Sequence, residues 1–285
     1  MAKAIEMSVV ALRTRFAEQL ACRPLAGGYY PVPVPMKCAS HGQAGDGRTI
    51  ASQPIGSPIH MDACNSASQL LLCQLADSAF PSGGFAHSGG LEAAWQNGRV
   101  TPDSLEPFVF AQLQQAASAA LPFVAVAYRE PLKLAQWDAQ CDAFLNNHVA
   151  NRASRAQGQA FLMAASRAFA MDELTQLGLR VRSSRMAGHT APVFGATCKA
   201  LLLTEVSTLR LFLFLALRGQ MSAAVRLGII GPLAGQAMQF RLSPHAEDLI
   251  ARALNTPVEE AAQTAPLLDI LQGAQDRLYS RLFQS

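Results

Sequence analysis

From Ser68 onward, apolar residues recur every three or four positions, the spacing of one face of an α-helix. Between about Gln136 and Phe169 they form one stripe, which predicts a long helix with one buried face. The stripe consists of Cys141, Phe144, Leu145, Val149, Phe161, Ala165 and Phe169. Alternating Val, Ile and Thr runs, which indicate strands, are almost absent. The pattern predicts an all-α fold with a single helical bundle domain over residues 66–285.

The most apolar stretch is LRLFLFLALRGQMSAAVRLGIIGP, from Leu209 to Pro232. It is apolar on every face through Leu217 and then rich in small residues, which predicts a helix at the centre of the bundle. Gly231 and Pro232 end or bend this helix. Its strongly apolar part, 211–217, is far shorter than the roughly 20 residues of a membrane span. We therefore expect a soluble chain that does not bind membranes.

Three Thr-Pro or Ser-Pro pairs predict helix starts, because a capping hydroxyl followed by proline suits the first helical turn. They are Thr101-Pro102, Ser243-Pro244 and Thr256-Pro257. The third is followed by Glu259, which completes a capping box.

The end of the sequence, APLLDILQGAQDRLYSRLFQS, predicts a further amphipathic helix. Its apolar stripe consists of Leu267, Leu271, Ala274, Leu278 and Leu282. Such a segment is either the last helix of the bundle or a helix that becomes ordered on a partner, and periodicity leaves both interpretations open.

Residues 1–65 have a different composition, with Pro, Gly and Ser throughout and no sustained period. This composition predicts a low-complexity, largely disordered extension. Residues 4–21 could form a short helix that is similar to an organelle transit peptide, although Glu6 and Glu18 argue against one.

Composition and charge narrow the classes of protein further. A net charge of +3 with scattered Lys and Arg residues argues against nucleic-acid binding. The six cysteines are widely spaced and contain no C-x-x-C pair, which predicts reduced thiols in the cytoplasm rather than a disulfide framework.

The stretch FPSGGFAHSGGLEAAW, residues 80–95, contains the candidate chemistry. It lacks the lysine of a phosphate-binding loop. Ala86-His87-Ser88-Gly89-Gly90 resembles a nucleophile elbow, so a serine hydrolase using Ser88 is the alternative function, but the residues before Ala86 do not look like a strand. Pro81 and the glycines instead indicate a tight corner between helices.

The other candidate chemical groups are isolated in the sequence. No two histidines lie three or four residues apart, the spacing of metal ligands on one face of a helix, which argues against a metal site. The sequence predicts a core or edge position for His148 and a loop or helix-entry position for His189. Glu92 is an acid favoured by the dipole of a first helical turn. The residues therefore point to an interaction protein rather than an enzyme.

Four blocks, in order, resemble the UreF family of urease accessory proteins, especially its plant-type members. They are LLCQLADSAFPSGGFAHSGGLEAA (71–94), HTAPVFG (189–195), LRGQMSAAVRLGIIGP (217–232) and EEAAQTAPLLDILQGAQDRLYSRLF (259–283). The resemblance implies a dimer-forming all-α scaffold without catalysis of its own. It also implies binding to UreD (also called UreH) and to the GTPase UreG, and delivery of nickel to apo-urease. Nickel and GTP would be carried by that GTPase, whose hydrolysis this chain would gate.

By the same resemblance, two groups of residues are expected to bind partners or to support the surface that does. The corner group comprises Asp77, Ser82, Gly83, Gly84, Phe85, His87, Ser88 and Glu92. The tail group, expected to pack on or become ordered against UreD, comprises Leu278, Tyr279, Arg281, Leu282 and Phe283. Arg226 either faces the dimer interface or extends from a helix edge to solvent.

Overall fold

The computed structural model describes residues 62–285, with side chains from Ser68 onward. The predicted extension, apart from residues 62–65 at the start of α1, and the possible helix over 4–21 lie outside the described residues. The α-helices are α1 (Asp62–Ala76), α2 (Leu91–Gln96), α3 (Leu105–Ala119), α4 (Leu121–Arg129), α5 (Leu134–Phe144), α6 (His148–Phe169), α7 (Asp172–Ser183), α8 (Thr190–Ala200), α9 (Glu205–Arg226), α10 (Pro232–Ala253) and α11 (Pro266–Gly273). Short 3₁₀ turns occur at Gly84–Ala86, Pro131–Lys133, Val258–Glu260 and Ala274–Arg277. The described residues contain no strand, which confirms the all-α prediction.

Helix α8 is the most completely buried element, since every residue from Ala191 to Cys198 is buried. It crosses α4 at very short range: a Cβ added at Gly195 would lie 2.1 Å from the Val124 carbonyl oxygen. The sequence predicted α9 at the centre instead. Helix α9 does bury Leu209, Leu213 and Leu217, but Phe214 is 38% exposed, so one face of this helix reaches the surface. Helix α8 lies at the centre because glycine at position 195 permits this close approach to α4.

Two stretches, Leu105–Arg129 and Glu205–Arg226, are long and apolar enough to cross a membrane by length and composition alone. About half of each apolar window is buried inside the protein, 50% and 44% respectively. Burial of this kind is also expected for core helices of a bundle, so the hydropathy of these stretches has a sufficient explanation in helix packing.

The predicted long helix over 136–169 is two helices. The chain breaks between Phe144 and His148, and Asn147 caps the start of α6 by accepting hydrogen bonds from the N–H groups of Val149 (3.0 Å) and Ala150 (3.3 Å). The buried stripe survives the break, because Cys141, Phe161 and their neighbours still face one core. His148 is exposed and pairs with Asp276 (3.3 Å), so it is a surface residue and not a core histidine.

The three predicted helix starts have three outcomes. Thr101 and Ser104 exchange side-chain-to-backbone hydrogen bonds one turn before α3 begins (2.9 and 3.3 Å), so this start is correct within one turn. Pro244 lies inside α10, where the Ser243 hydroxyl donates to the Gln239 carbonyl (2.8 Å). Helix α10 continues because its buried face continues on both sides of the proline, through Met238, Leu242, Leu249 and Ile250.

The predicted capping box after Thr256 is wrong, because only the 3₁₀ turn Val258–Glu260 follows. The Thr256 hydroxyl donates to the Arg252 carbonyl (3.1 Å) and therefore extends the end of α10 instead of capping a new helix. The capping signature is read from neighbouring residues alone. Here the Thr256 hydroxyl is hydrogen-bonded to the last turn of α10 and therefore does not cap a following helix.

The predicted helical stripe through the tail is also wrong. Helix α11 ends at Gly273, and the residues after Arg277 have no regular secondary structure. The buried leucine of α11 is Leu268, whereas Leu267 is 72% exposed. The tail turns back onto the protein, since Phe283 is 4% exposed and lies in the core.

The contact between α4 and α8 predicts a strong effect of one methyl group. Gly195→Ala should destabilise the protein by about 1 to 3 kcal/mol or more, because the new Cβ overlaps the Val124 carbonyl oxygen. Urea unfolding followed by circular dichroism measures this change. Gly219→Ala in α9 is the control, because its added Cβ meets open space and should stabilise the helix by up to about 1 kcal/mol. Equal stability of the two variants would contradict the packing described here.

Candidate functional site

The corner between α1 and α2 is a series of turns fixed by short hydrogen bonds. At its start, the Asp77 carboxylate accepts the Ala79 N–H (2.8 Å). At its end, Gly90 has φ = 89°, and a Cβ there would lie 3.0 Å from the backbone of Gln272 in α11. Glycine at this position therefore satisfies both a left-handed backbone and a close approach of two helices.

The tail occupies the inner side of this corner. The Ser88 N–H donates to the Ser285 carbonyl oxygen (2.5 Å), and the Ser88 hydroxyl donates to the same oxygen (2.9 Å). The Gln284 N–H donates to the Ala86 carbonyl (2.8 Å), and the His87 Nδ1 lies 2.7 Å from the Ser285 hydroxyl. Corner and tail thus form one site although they lie at opposite ends of the described chain.

Ser88 does not have the environment of a nucleophile. It is 1% exposed, its hydroxyl is bound to Ser285, and the residues before Ala86 form turns and a 3₁₀ segment rather than a strand. The neighbouring His87 contacts Ser285 and not Ser88. Burial, followed by the charge of Arg152, lowers the pKa of His87. The elbow required by the serine hydrolase alternative is therefore not formed.

Glu92 has a much larger role than an acid in a first helical turn. It is 1% exposed and accepts the backbone N–H groups of Leu282 (2.6 Å) and Phe283 (3.0 Å). The side-chain amide of Gln275 also donates to it (2.6 Å). A buried carboxylate is costly unless N–H donors surround it, and here the tail backbone supplies two of four donors, the others being Gln275 and Gln96.

Arg226 connects α9 to both parts of the site. Its guanidinium lies 3.7 Å from the ring centroid of Phe85 and 4.2 Å from that of Phe283, and it donates to the Phe85 carbonyl. Phe85 is 71% exposed and Phe283 is 4% exposed, so the arginine lies between an outer and an inner ring. This stacking within the chain replaces the predicted extension of Arg226 to solvent.

The other residues that the sequence predicted to bind partners lie either in a groove or in the tail. Ser82, Gly83 and Gly84 line a groove of about 1210 Å³ that is also lined by residues of α6, α8 and α9. In the tail, Leu278 is half-buried, Tyr279 and Leu282 are exposed, and Arg281 pairs with Asp276 (3.1 Å). The structure therefore joins Phe85, His87, Ser88 and Glu92 to the tail, while the Asp77 carboxylate stabilises the turn after α1.

Sequence reasoning missed four glutamines that hold this site together. Gln275 is fully buried and donates to Glu92 and to the Phe283 carbonyl (3.2 Å), and Gln96 donates to the Ser280 carbonyl (3.1 Å). Gln112 and Gln220 donate to the carbonyls of Gly89 (2.6 Å) and Ser88 (3.1 Å). A glutamine on a helix carries no local signal of such a role, because its partner lies far away in sequence.

His189 organises a second polar cluster, next to α8. The His189 ring contacts Asp142 through Nε2 (3.0 Å) and the Ser154 hydroxyl through Nδ1 (3.1 Å). The backbone N–H of His189 donates to the Asp138 carboxylate (2.7 Å). The sequence predicted a loop or helix-entry residue, and the structure shows the second of these, because His189 is the N-cap residue of α8. A serine, a histidine and an aspartate lie in series here, as they do in a catalytic triad. However, the Ser154 hydroxyl accepts the Thr190 N–H (3.1 Å) and the imidazole is fully buried, so the cluster joins helices and has no nucleophile open to solvent.

Between Ser68 and Ser285, no three His, Cys, Asp or Glu side chains lie close enough together to hold a metal ion. Burial raises the pKa of the Cys141 thiol to about 12, which keeps it protonated, while Cys73 is exposed.

Comparison with known proteins identifies the family. The UreF family model matches residues 100–243. Urease accessory protein F of Arabidopsis thaliana is 39% identical over 235 residues, which cover 80% of this chain and 97% of that protein. The chain belongs to the UreF family.

Other members support the same assignment. Urease accessory protein F of Oryza sativa subsp. japonica is 39% identical over 79% of this chain and 88% of its own length, and UreF of Arthrobacter sp. (strain FB24) is 30% identical over 76% and 97%. The plant-type resemblance is confirmed by these plant relatives. UreF relatives are named as accessory proteins, which bears out the prediction that the chain is not an enzyme.

The polar cluster around Asp142 predicts a pH-dependent stability. Hydrogen bonds from Asn151, Arg155 and His189 lower the pKa of Asp142 well below its ordinary value of 3.8. A carboxylate with a lowered pKa stabilises the fold above that ordinary value, and its contribution is lost as the pH falls through the lowered pKa. Asp142→Asn should therefore lower the melting temperature at pH 7, and the difference from the wild type should shrink below pH 3.8.

Thermal unfolding followed by circular dichroism at pH 7, 5 and 3 tests this prediction. Asp103→Asn is the control, because Asp103 is exposed in the turn before α3 and should leave the melting temperature nearly unchanged. A difference between wild type and Asp142→Asn that is as large at pH 3 as at pH 7 would contradict the charge-based explanation.

Proposed function

We propose that this protein is a non-enzymatic scaffold in urease maturation. It binds UreD (UreH) and the GTPase UreG, and the complex delivers nickel to the urease apoprotein. The observation that carries the proposal is membership of the UreF family, with 39% identity to urease accessory protein F over most of both chains.

The tail offers the surface for UreD in this proposal. Tyr279 is fully exposed and Leu282 is 52% exposed, although both belong to the segment that Phe283 anchors in the core. Exposed aromatic and aliphatic side chains on an anchored segment suit a protein interface, because little conformational entropy is lost when they are buried. The exposed ring of Phe85 adds a third apolar group from the corner.

Nickel is the cargo of the complex and GTP the substrate of its GTPase. We propose that UreG carries both and that this chain positions UreG, gates its GTP hydrolysis and lines part of the path of the ion. We further propose that the chain acts in the cytoplasm as a homodimer, which light scattering on the purified protein would detect.

Reconstitution of urease activation tests the proposed function. Apo-urease, UreD, UreG, GTP and nickel are combined with or without this protein, and urea hydrolysis is measured. Activation should require the protein, and immobilised protein should retain UreD and UreG. Full activation in its absence, or binding to neither partner, would refute the proposal.

A double substitution tests the role of the tail. Tyr279→Ala with Leu282→Ala should weaken UreD binding by at least about tenfold, because it removes exposed contact area while Phe283 and Glu92 keep the tail in place. Binding is measured by surface plasmon resonance.

Leu132→Ala is the matched control, since Leu132 is also exposed (87%) but lies between α4 and α5. It should leave the affinity unchanged. Full UreD affinity in the double variant would show that these two tail side chains are not part of the interface.

A further inference from the structure

The rest of the chain forms hydrogen bonds with three amides and three carbonyls of the last six residues. The amides of Leu282, Phe283 and Gln284 all donate, to Glu92 and to the Ala86 carbonyl. The carbonyls of Ser280, Phe283 and Ser285 all accept, from Gln96, Gln275 and Ser88. Hydrogen bonds of this kind bind a peptide in one register whatever its exposed side chains are.

Two side chains of the tail enter the protein and give the contact selectivity. The Phe283 ring is buried beside the Arg226 guanidinium, 4.2 Å from its centroid. The Ser285 hydroxyl lies 2.7 Å from the His87 Nδ1, and Ser285 is 1% exposed. Arg281, Leu282 and Gln284 are exposed. The arrangement selects an aromatic residue followed two positions later by a small hydroxyl residue.

We propose that the corner and α2 form a peptide-binding site whose ligand is the tail, Ser280–Ser285, and that this site also binds the same peptide when it is not covalently attached. The receptor groups are Glu92, Gln96, Gln275, Arg226, Ser88 and His87. The ligand is a short non-helical peptide with the pattern Phe-x-Ser. The proposal concerns this chain alone and does not depend on a role in urease maturation.

The chain can be shortened so that the ligand segment is removed and all receptor residues remain. Gln275, the last receptor residue, belongs to the 3₁₀ turn Ala274–Arg277. Tyr279 and Ser280 are exposed, so the peptide enters the site from solvent. A chain ending at Leu278 therefore keeps every receptor side chain and loses only the ligand and Tyr279.

Addition of the free peptide tests the proposal. A fluorescein-labelled peptide with the sequence YSRLFQS (279–285) is titrated into the chain that ends at Leu278, and fluorescence anisotropy is recorded. Saturable binding is expected. A peptide with alanine in place of Phe283 should bind at least about tenfold more weakly, because the buried ring is lost, whereas alanine in place of Leu282 should change the affinity by less than about threefold.

Variants of the receptor test the role of Glu92. In the shortened chain, Glu92→Gln should weaken peptide binding at least about tenfold, because the amide replaces one of the two charged acceptors of backbone N–H groups with a donor. Glu106→Gln is the control, since Glu106 is paired with Arg241 (2.6 Å) away from the tail. Circular dichroism verifies that each variant is folded.

A measurement on the full chain decides the question if the shortened chain does not fold. Hydrogen exchange of the Leu282 and Phe283 amides should be slow in the wild type and at least about tenfold faster in Glu92→Gln, with core amides unchanged. A folded shortened chain that does not bind the peptide would overturn the proposal. Equal exchange rates in wild type and Glu92→Gln would also overturn it, and neither result bears on binding to UreD or UreG.

Discussion

The corner and the tail are held together by the carboxylate of Glu92, which the tail covers. Glu92 is 1% exposed, and its oxygens are covered by N–H groups from Leu282, Phe283 and Gln275. Without the tail, this charge would be left with too few donors in a region of low dielectric, which is strongly unfavourable. The corner and the tail therefore stabilise each other, and the tail has a defined position without being a helix.

The bundle supplies a rigid frame for this contact. Helix α8 is buried from Ala191 to Cys198, and its close crossing with α4 at Gly195 fixes the centre of the fold. His189 then joins the start of α8 to α5 and α6 through Asp142 and Ser154. From this frame, α9 presents Arg226 to the corner and α11 leads the chain back to it. A partner that contacts the tail thus contacts a segment held by several helices.

Local patterns predicted much of this architecture. The apolar periodicity predicted the helical class, and the glycines of residues 83–90 predicted a bend rather than a catalytic turn, which agrees with the buried, hydrogen-bonded Ser88. Helix boundaries were less predictable. Ser243-Pro244 has the same appearance at a helix start and in a helix interior, and only the continuous buried face of α10 distinguishes the two. Asn147 caps a break that the apolar stripe conceals.

The sequence by itself determined the helical class, the position of the corner and the family, because periodicity, turn residues and ordered motifs are properties of neighbouring residues. It did not determine the role of Glu92, which reads locally as an acid that favours a helix N-terminus. Only the tertiary structure brings Glu92 to amides 190 and 191 residues later in the chain. The physical reason is that a buried charge needs hydrogen-bond donors that are close in space. The spacing of neighbouring residues does not show where a distant segment that carries those donors will fold.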